Sequence, residues 1–483
     1  METLQLELAH IEVSFLDQTI LDIEKLSVYQ FDRIGIVGKN GSGKSTLLKL
    51  LKGEILPTKG HVHRQIDFGY FEQTAPPTEH DADYKMLGLL NINGKSHGHL
   101  SGGEQSRLKL AQLFSNYHEG LLLDEPTTHL DQNGQQFLLD QLAYYYGALL
   151  IVSHDRYVLD QLVNKIWEVK DGKVTEYSGN YTDYLQQKQL EKEQQQEKHE
   201  KYIKEKERLI KSAEDKLKKA KKVTQGKKNA AKNQSPSRLS ASKSKDNVQK
   251  AMQQTAKSLE HRAEQLEVVK APEWERTISF PQSQSLQLHN KFPIMAERLT
   301  LYAGNKLLLK QASFQFPVGK TIALTGENGS GKSTLLHHIL ENGHDLTLSL
   351  KAQIGYYDQL SYQFEKSESV YDYLKERSDH EETVIRAALH SMCFGGSDLS
   401  KDICTLSGGE RIRLLLCQLF LGRYNILILD EPTNFLDIDA ILALEKFIQG
   451  YEGTIVLVSH DRTFVKRIAD VQYTLQNKQL YLN

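Results

Sequence analysis

The chain contains itself twice. GKNGSGKSTLL, starting at Gly38, returns as GENGSGKSTLL at Gly326, 288 positions later. LSGGE at Leu100 returns at Leu406, DEPT at Asp124 at Asp430, and VSHDR at Val152 at Val458, each 306 positions on. Identical spacing across three motifs, with an 18-residue gain confined to the stretch before LSGGE, marks a duplicated domain carrying one insertion. Whatever one half folds into, the other must fold into as well. A length of 483 residues leaves room for two sizeable cores and a segment between them.

Each half reads as α/β. Apolar runs of strand length (RIGIV before Gly38, TIALT before Gly326, GLLLD, NILILD, ALLIV, TIVLV) alternate with helical stretches, as a mostly parallel central sheet requires. None approaches the ~20 apolar residues needed to span a bilayer. The opening METLQLELAHIEVSF alternates like a strand and lacks the basic start and apolar core of a signal peptide. Cys393, Cys404 and Cys417 have no CxxC spacing and read as reduced, mostly buried thiols of a cytoplasmic protein.

Between the halves the composition changes. From about Leu185 to Lys270 Gly and Pro nearly vanish, and Lys, Glu, Gln and Ala dominate. Ile203, Ile210, Ala213, Leu217 and Ala220 follow a heptad-like spacing, as do Val248, Met252, Leu259, Ala263 and Leu266. The expected form is an antiparallel helical hairpin over residues 185–270, with a tip loop at about 224–245. Its first helix, of about 38 residues, would reach roughly 57 Å. The expected domains on either side are residues 1–184 and 271–483. Lys201–Lys250 holds 17 basic against 5 acidic residues. That bias, strongest between Lys216 and Lys245, exceeds what a solvated helix face needs and suits insertion among phosphates.

The duplicated motifs carry the chemistry. Gly-x-x-x-x-Gly-Lys-Ser spans Gly38–Ser45 and Gly326–Ser333, each between a strand and a helix. In such a loop the backbone N–H groups of the glycine-rich turn (Gly38, Asn40, Gly41, Gly43 and Thr46; Gly326, Asn328, Gly329, Gly331 and Thr334) close around nucleotide phosphates. Lys44 and Lys332 neutralise charge, and the hydroxyls of Ser45 and Ser333 ligate Mg²⁺. Asp124 and Asp430, ending apolar strands, would hold Mg²⁺. The adjacent Glu125 and Glu431 are placed to act on the attacking water as general bases. His154 and His460 can contact the terminal phosphate and that water. LSGGEQ and LSGGER open helices with Ser101 and Ser407 as N-caps. Gly102, Gly103, Gly408 and Gly409 then leave a positive helix end exposed to an anion.

That signature resembles the one of ABC ATPases. The resemblance implies two P-loop domains packed head to tail, the signature of one covering ATP held by the other. Site one would join Lys44, Glu125 and His154 with Ser407 and Gly409; site two would join Lys332, Glu431 and His460 with Ser101 and Gly103. Gln73 and Gln359 match the family's Q-loop, which also reaches Mg²⁺, and Asp131 and Asp437 match its D-loop. Phe15 and Tyr302 stand where an aromatic stacks on adenine, although an aromatic there also suits an ordinary core.

Over nearly the whole chain the resemblance is to the ABC-F family, in which twin domains bind the tRNA exit site of the ribosome. There the hairpin reaches toward the P-site tRNA and the large-subunit RNA of the peptidyl transferase centre. Only 27 residues separate Gln73 from Leu100, leaving no room for the arm that housekeeping translation factors of this family carry. The long tip with PSRLSASK is similar to antibiotic-resistance members of the macrolide–streptogramin and Vga-like types. The expectation is a cytoplasmic, monomeric ribosome-protection ATPase using ATP and Mg²⁺. A housekeeping translation factor and a transporter ATPase awaiting membrane subunits are the alternatives.

Overall fold

The computed structural model describes residues 3–16, 18–73, 75–77, 83–89, 102–128, 130–230, 239–269, 279–280, 286–357, 364 and 366–483. It divides into two compact units: Met1–Tyr184 with Arg276–Asn483, and Leu185–Glu275.

The first unit holds both halves of the duplication, each built on the same six-stranded sheet. In the first half the order is Phe68–Phe71, Gly120–Asp124, Ala148–Val152, Arg33–Val37, Lys165–Lys170, Lys173–Ser178. In the second it is Ile354–Tyr357, Ile426–Asp430, Thr454–Val458, Thr321–Gly326, Val471–Gln476, Gln479–Leu482. All pairings are parallel except the last in each sheet. Strands such as GLLLD, ALLIV and TIVLV are buried at every position, because a parallel sheet is covered on both faces. A three-stranded antiparallel sheet accompanies each: Gln18–Tyr29, Leu4–Phe15 and Lys59–Arg64 in one half, Lys306–Phe316, Ile294–Ala303 and Leu346–Leu348 in the other. The 18-residue gain of the second half falls in the stretch that folds as helices Val370–Arg377 and Glu382–Ser391, whose Val370, Leu374, Ala388 and Leu389 are wholly buried. Of the three cysteines, all free, only Cys417 is fully buried and Cys404 is exposed, which corrects the expectation of mostly buried thiols. Cys404 lies on a 3₁₀ turn (Ile403–Thr405) whose Ile403 takes the core position.

The second unit is helical. One helix runs Tyr181–Ala230, 50 residues or roughly 75 Å, and its antiparallel-expected mate runs Leu239–Glu264. Both therefore continue into the segment expected as a 224–245 loop. The lysine-rich ends are good helix formers, and only residues 231–238, around Pro236, fall outside the described residues. The buried positions match the heptad reading at Ala213, Ala220 and Ala263 and depart from it at its β-branched residues. Leu209, Ala213 and Ala220 on one helix and Ala256 and Ala263 on the other are buried. Ile203, Ile210 and Val248 are 37–45% exposed. His199 Nδ1 meets the Val269 carbonyl at 2.7 Å within this unit.

Inside the first unit the two halves are joined by a buried ion pair with no counterpart. Arg156, at the start of helix Arg156–Leu162, places Nη2 2.5 Å from Glu445 Oε1 on helix Ile438–Gln449 of the other half. Both side chains are almost fully buried. Glu445 also receives Arg467 Nη1 at 3.2 Å. At the 306-residue offset, Arg156 becomes Arg462 but Glu445 becomes Leu139. Asp461 Oδ2 lies 3.8 Å from the same Nη2, so Glu445→Leu leaves Arg156 one more distant acidic partner and is expected to cost about 3 kcal/mol, the low end for a broken buried pair. Glu445→Leu combined with Arg156→Met is expected to cost far less, and chemical denaturation of the two variants measures the difference.

Candidate nucleotide sites

Each P-loop follows a central strand and precedes a helix, Lys44–Lys52 or Lys332–Leu340. Gly38 and Gly326 adopt φ of 151° and 146°, and a Cβ on either would lie 2.4–2.5 Å from the carbonyl of Val169 or Leu475. No other residue type fits there. The loop curls back on its own lysine: Lys44 Nζ donates to Gly38 O and Lys39 O at 2.8 and 3.0 Å. Lys332 Nζ donates to Gly326 O and Glu327 O at 2.8 and 2.9 Å. Burial pulls both ammonium pKa values down, while the acids at the strand ends oppose that shift. A buried cation at the start of a helix gives the loop the right charge for phosphate. Ser45 hydrogen bonds Asp124, so hydroxyl and carboxylate already share one locus. This oxygen pair suits Mg²⁺.

Beyond the strand ends the acids stand on strained backbone. Glu125 and Glu431 have φ of 50° and 48°, left-handed values that glutamate rarely adopts. The turn carries each carboxylate inward. Oε2 accepts the N–H of His154 or His460 at 3.3 Å, and Oε1 lies 3.4 or 3.3 Å from that histidine's Nε2. Oε1 of both glutamates is buried and makes no hydrogen bond. Burial raises Glu125 to about 8 and Glu431 to about 7, with Lys44 and Lys332 pulling the other way. Burial and the nearby lysine hold His154 down at about 3 and His460 at about 4, so both imidazoles are neutral. A carboxylate with a free buried oxygen and a raised proton affinity is equipped to take a proton from water.

The halves complete each other's sites. Asp437 caps its own helix at Ala440 N (2.9 Å) and accepts the N–H of Asn40 in the other half's P-loop at 3.0 Å. Asp131 caps Gly134 N (3.0 Å) and accepts from Asn328 N at 3.2 Å. Asn40 Nδ2 also donates to Phe435 O at 2.9 Å, and a Cβ on signature residue Gly409 would lie 3.3 Å from that same Nδ2. Thus the second half's signature faces the first half's P-loop. Ser407 caps helix Gly408–Leu421 in a reciprocal capping box with Glu410. On the other side Gly102 and Gly103 share a cavity of about 750 Å³ with Lys332, Ser333, Thr334 and Glu431. Gln73 lines the same cavity. Gln359 and Ser101 lie outside the described residues. Phe15 and Tyr302 are 49% and 57% exposed, which excludes the core reading. Each belongs to a hairpin that packs on a P-loop, through Ile20 against Gly43 and Leu308 against Gly331.

Three contributors escaped the motifs. Arg107 and Arg413, in the signature helices, approach Asp131 and Asp437 at 3.7 and 3.5 Å. Their matching 306-residue offset was the available signal. Lys109 donates to the carbonyls of Glu72, Gln73 and Ala75 at 2.8–3.0 Å, fastening the Gln73 segment. No local pattern announces that contact.

A family model described as ABC transporter matches residues 21–128 and again 309–434, and a second of that description matches 167–247. The erythromycin resistance ATP-binding protein MsrA of Staphylococcus epidermidis is 41% identical, covering 100% of this chain and 99% of its own length. The ribosome protection protein VmlR of Bacillus subtilis is 32% identical, covering 97% of this chain and 86% of its own. Among solved structures, RNase-L Inhibitor superposes with a TM-score of 0.65 at 18% identity, over 96% of this chain and 87% of that one, a likeness of fold. Among the described residues no helix is long and apolar enough to cross a membrane.

The raised carboxyl groups tie stability to pH. Their folded pKa values exceed the ordinary 4.5, so the protonated fold is favoured. That stability is complete below about pH 4.5 and is lost as pH rises through about 7 and 8. Without nucleotide, the chain is expected to melt at a lower temperature at pH 8.5 than at pH 5.5. Glu125→Gln with Glu431→Gln should flatten this dependence, by an amount on the order of 2 kcal/mol, measurable by thermal melts across that range.

Proposed function

Because this chain belongs to the ABC-F family of ABC ATP-binding proteins, in its antibiotic-resistance branch, we propose that it is a cytoplasmic ATPase that protects the ribosome from drugs. The observation that carries this is the reciprocal bond between halves: each P-loop is held by the other half's aspartate, so nucleotide and domain closure are one event. The full-length likeness to a protein named for erythromycin resistance and to one named for ribosome protection supplies the partner.

ATP is the substrate. The loop from Gly38 to Thr46 with Lys44, and the loop from Gly326 to Thr334 with Lys332, hold its phosphates; Phe15 and Tyr302 stack on its base. Ser407, Gly408 and Gly409 cover the first nucleotide, and Ser101, Gly102 and Gly103 the second. Ser45, Asp124 and Gln73, with Ser333, Asp430 and Gln359, would hold Mg²⁺, which supplies charge neutralisation at the phosphates. Glu125 or Glu431 takes the proton of water as the water oxygen bonds to the terminal phosphorus, and the bond to the ADP oxygen breaks. His154 and His460, neutral, orient that water and the phosphate. Closure with ATP and opening after hydrolysis then select between two arrangements of the halves, and only differential binding of nucleotide drives the choice. The closed monomer fits the vacant tRNA exit site. The basic hairpin meets the phosphates of large-subunit RNA and the P-site tRNA, displacing drugs of the peptidyl transferase centre or exit tunnel.

Glu125→Gln with Glu431→Gln should bind ATP, lose hydrolysis by at least a hundredfold, and accumulate on ribosomes sedimented with ATP. Normal release of that variant would sink the mechanism. Deleting Gly226–Lys243 should leave ATP turnover within about twofold while abolishing growth in erythromycin. Loss of turnover on that deletion would assign the segment to the catalytic body instead.

A further inference from the structure

The duplication supplies an internal control: wherever matched positions differ beside the two sites, the difference is not required by the fold. We infer that the sites are unequal, the first (Lys44) holding ATP tightly and the second (Lys332) exchanging it. This rests on the nucleotide-site reading above and adds which residues separate the two.

The first difference is one charge at the P-loop. Position two of the loop is Lys39 in one half and Glu327 in the other. The backbone carbonyl of each binds the P-loop lysine, at 3.0 and 2.9 Å, so each side chain starts at the rim of the phosphate cradle. Glu327 Oε1 accepts a bond from Asn133 Nδ2 of the other half at 2.9 Å, which fixes the carboxylate there. The residue matching Asn133 is Asp439, so the first site has a cation and an anion at these positions and the second a lone anion. Among the residues beside the loops and signatures, two other charge differences offset each other. Arg411 replaces Gln105 beside the signature of the first site, and Lys306, whose Nζ lies 3.5 Å from Gly329 O, replaces Gln18 at the second. The second site is left more negative by one elementary charge, against a ligand that is itself a polyanion.

The second difference is independent of charge at the phosphates. Lys109 ties the carbonyls of Glu72, Gln73 and Ala75 to the signature helix of its own half, with its ammonium 4.8 Å from the Phe71 ring. The matching residue is Leu415, which carries no donor. The first site's Gln73 is therefore prearranged, and ordering it costs less when nucleotide arrives. Both differences favour the first site. Glu327 and Lys109 act as positioning residues, since the structure gives neither a role in the proton transfer.

The full chain with Glu125→Gln and Glu431→Gln, which cannot turn over, is titrated with a fluorescent ATP analogue and Mg²⁺ at low salt. Two binding classes separated roughly fivefold are expected. Glu327→Lys should tighten the weaker class and narrow the gap; Glu327→Gln, which keeps an amide partner for Asn133, should give a smaller part of that effect. Lys109→Leu should weaken the tighter class alone. Raising salt to about 0.5 M should shrink the part of the gap that Glu327 sets and leave the Lys109 part, a separation that a purely structural role would not produce. A single class in the parent chain overturns the inequality, and two classes unmoved by Glu327→Lys and Lys109→Leu overturn its assignment to these residues; either outcome leaves the sites themselves in place. Failure to bind ATP at all overturns both.

Discussion

Two carboxylates hold the arrangement together. Asp131 and Asp437 each satisfy the N-terminus of the helix they precede and, with the second oxygen, an N–H in the opposite P-loop. One oxygen serves the fold and the other serves the site, so neither domain's helix can shift without moving its neighbour's phosphate cradle. Arg107 and Arg413 stand behind these aspartates at 3.7 and 3.5 Å, placing a cation beside each buried carboxylate. The rest of the molecule is consistent with that constraint: two parallel sheets present their loops toward a shared interface rather than toward solvent.

The proposed general bases show the opposite economy. Glu125 and Glu431 sit on backbone that most side chains avoid, in surroundings that raise their pKa values. Strain and desolvation both work against folding, and both bring a proton-accepting oxygen to the right place. The buried strands before and after these turns, GLLLD and ALLIV or NILILD and TIVLV, are rigid enough to impose that geometry.

Much of this was legible in the residues because the functional groups lie within short contiguous motifs. Gly38–Ser45, Asp124–Glu125 and their repeats are set by local turns, and a strand-loop-helix context was readable from apolar runs of strand length. The parts that were not legible depend on distant partners. Nothing near Lys109 indicates three carbonyls waiting 34–37 residues upstream. The hairpin seam was legible in part: the heptad spacing took in Ala213, Ala220 and Ala263, which are buried, but also Ile203, Ile210 and Val248, which are exposed, and it passed over Leu209 and Ala256. The tip was expected to begin at Thr224 from its polarity, although lysine and alanine continue a helix readily. Left-handed φ at Glu125 and Glu431 has no sequence signal, since glycine is what normally marks it.

The lone pairing of Arg156 with Glu445 bears on how such a chain is made. A second copy of the first half would set each Arg156 against Leu139 in place of Glu445, leaving of its two acidic partners only the match of Asp461, which is Asp155. First halves are thereby discouraged from associating with each other, on one polysome or between chains, during the interval before the second half has been synthesised. The interface thereby favours its own continuation.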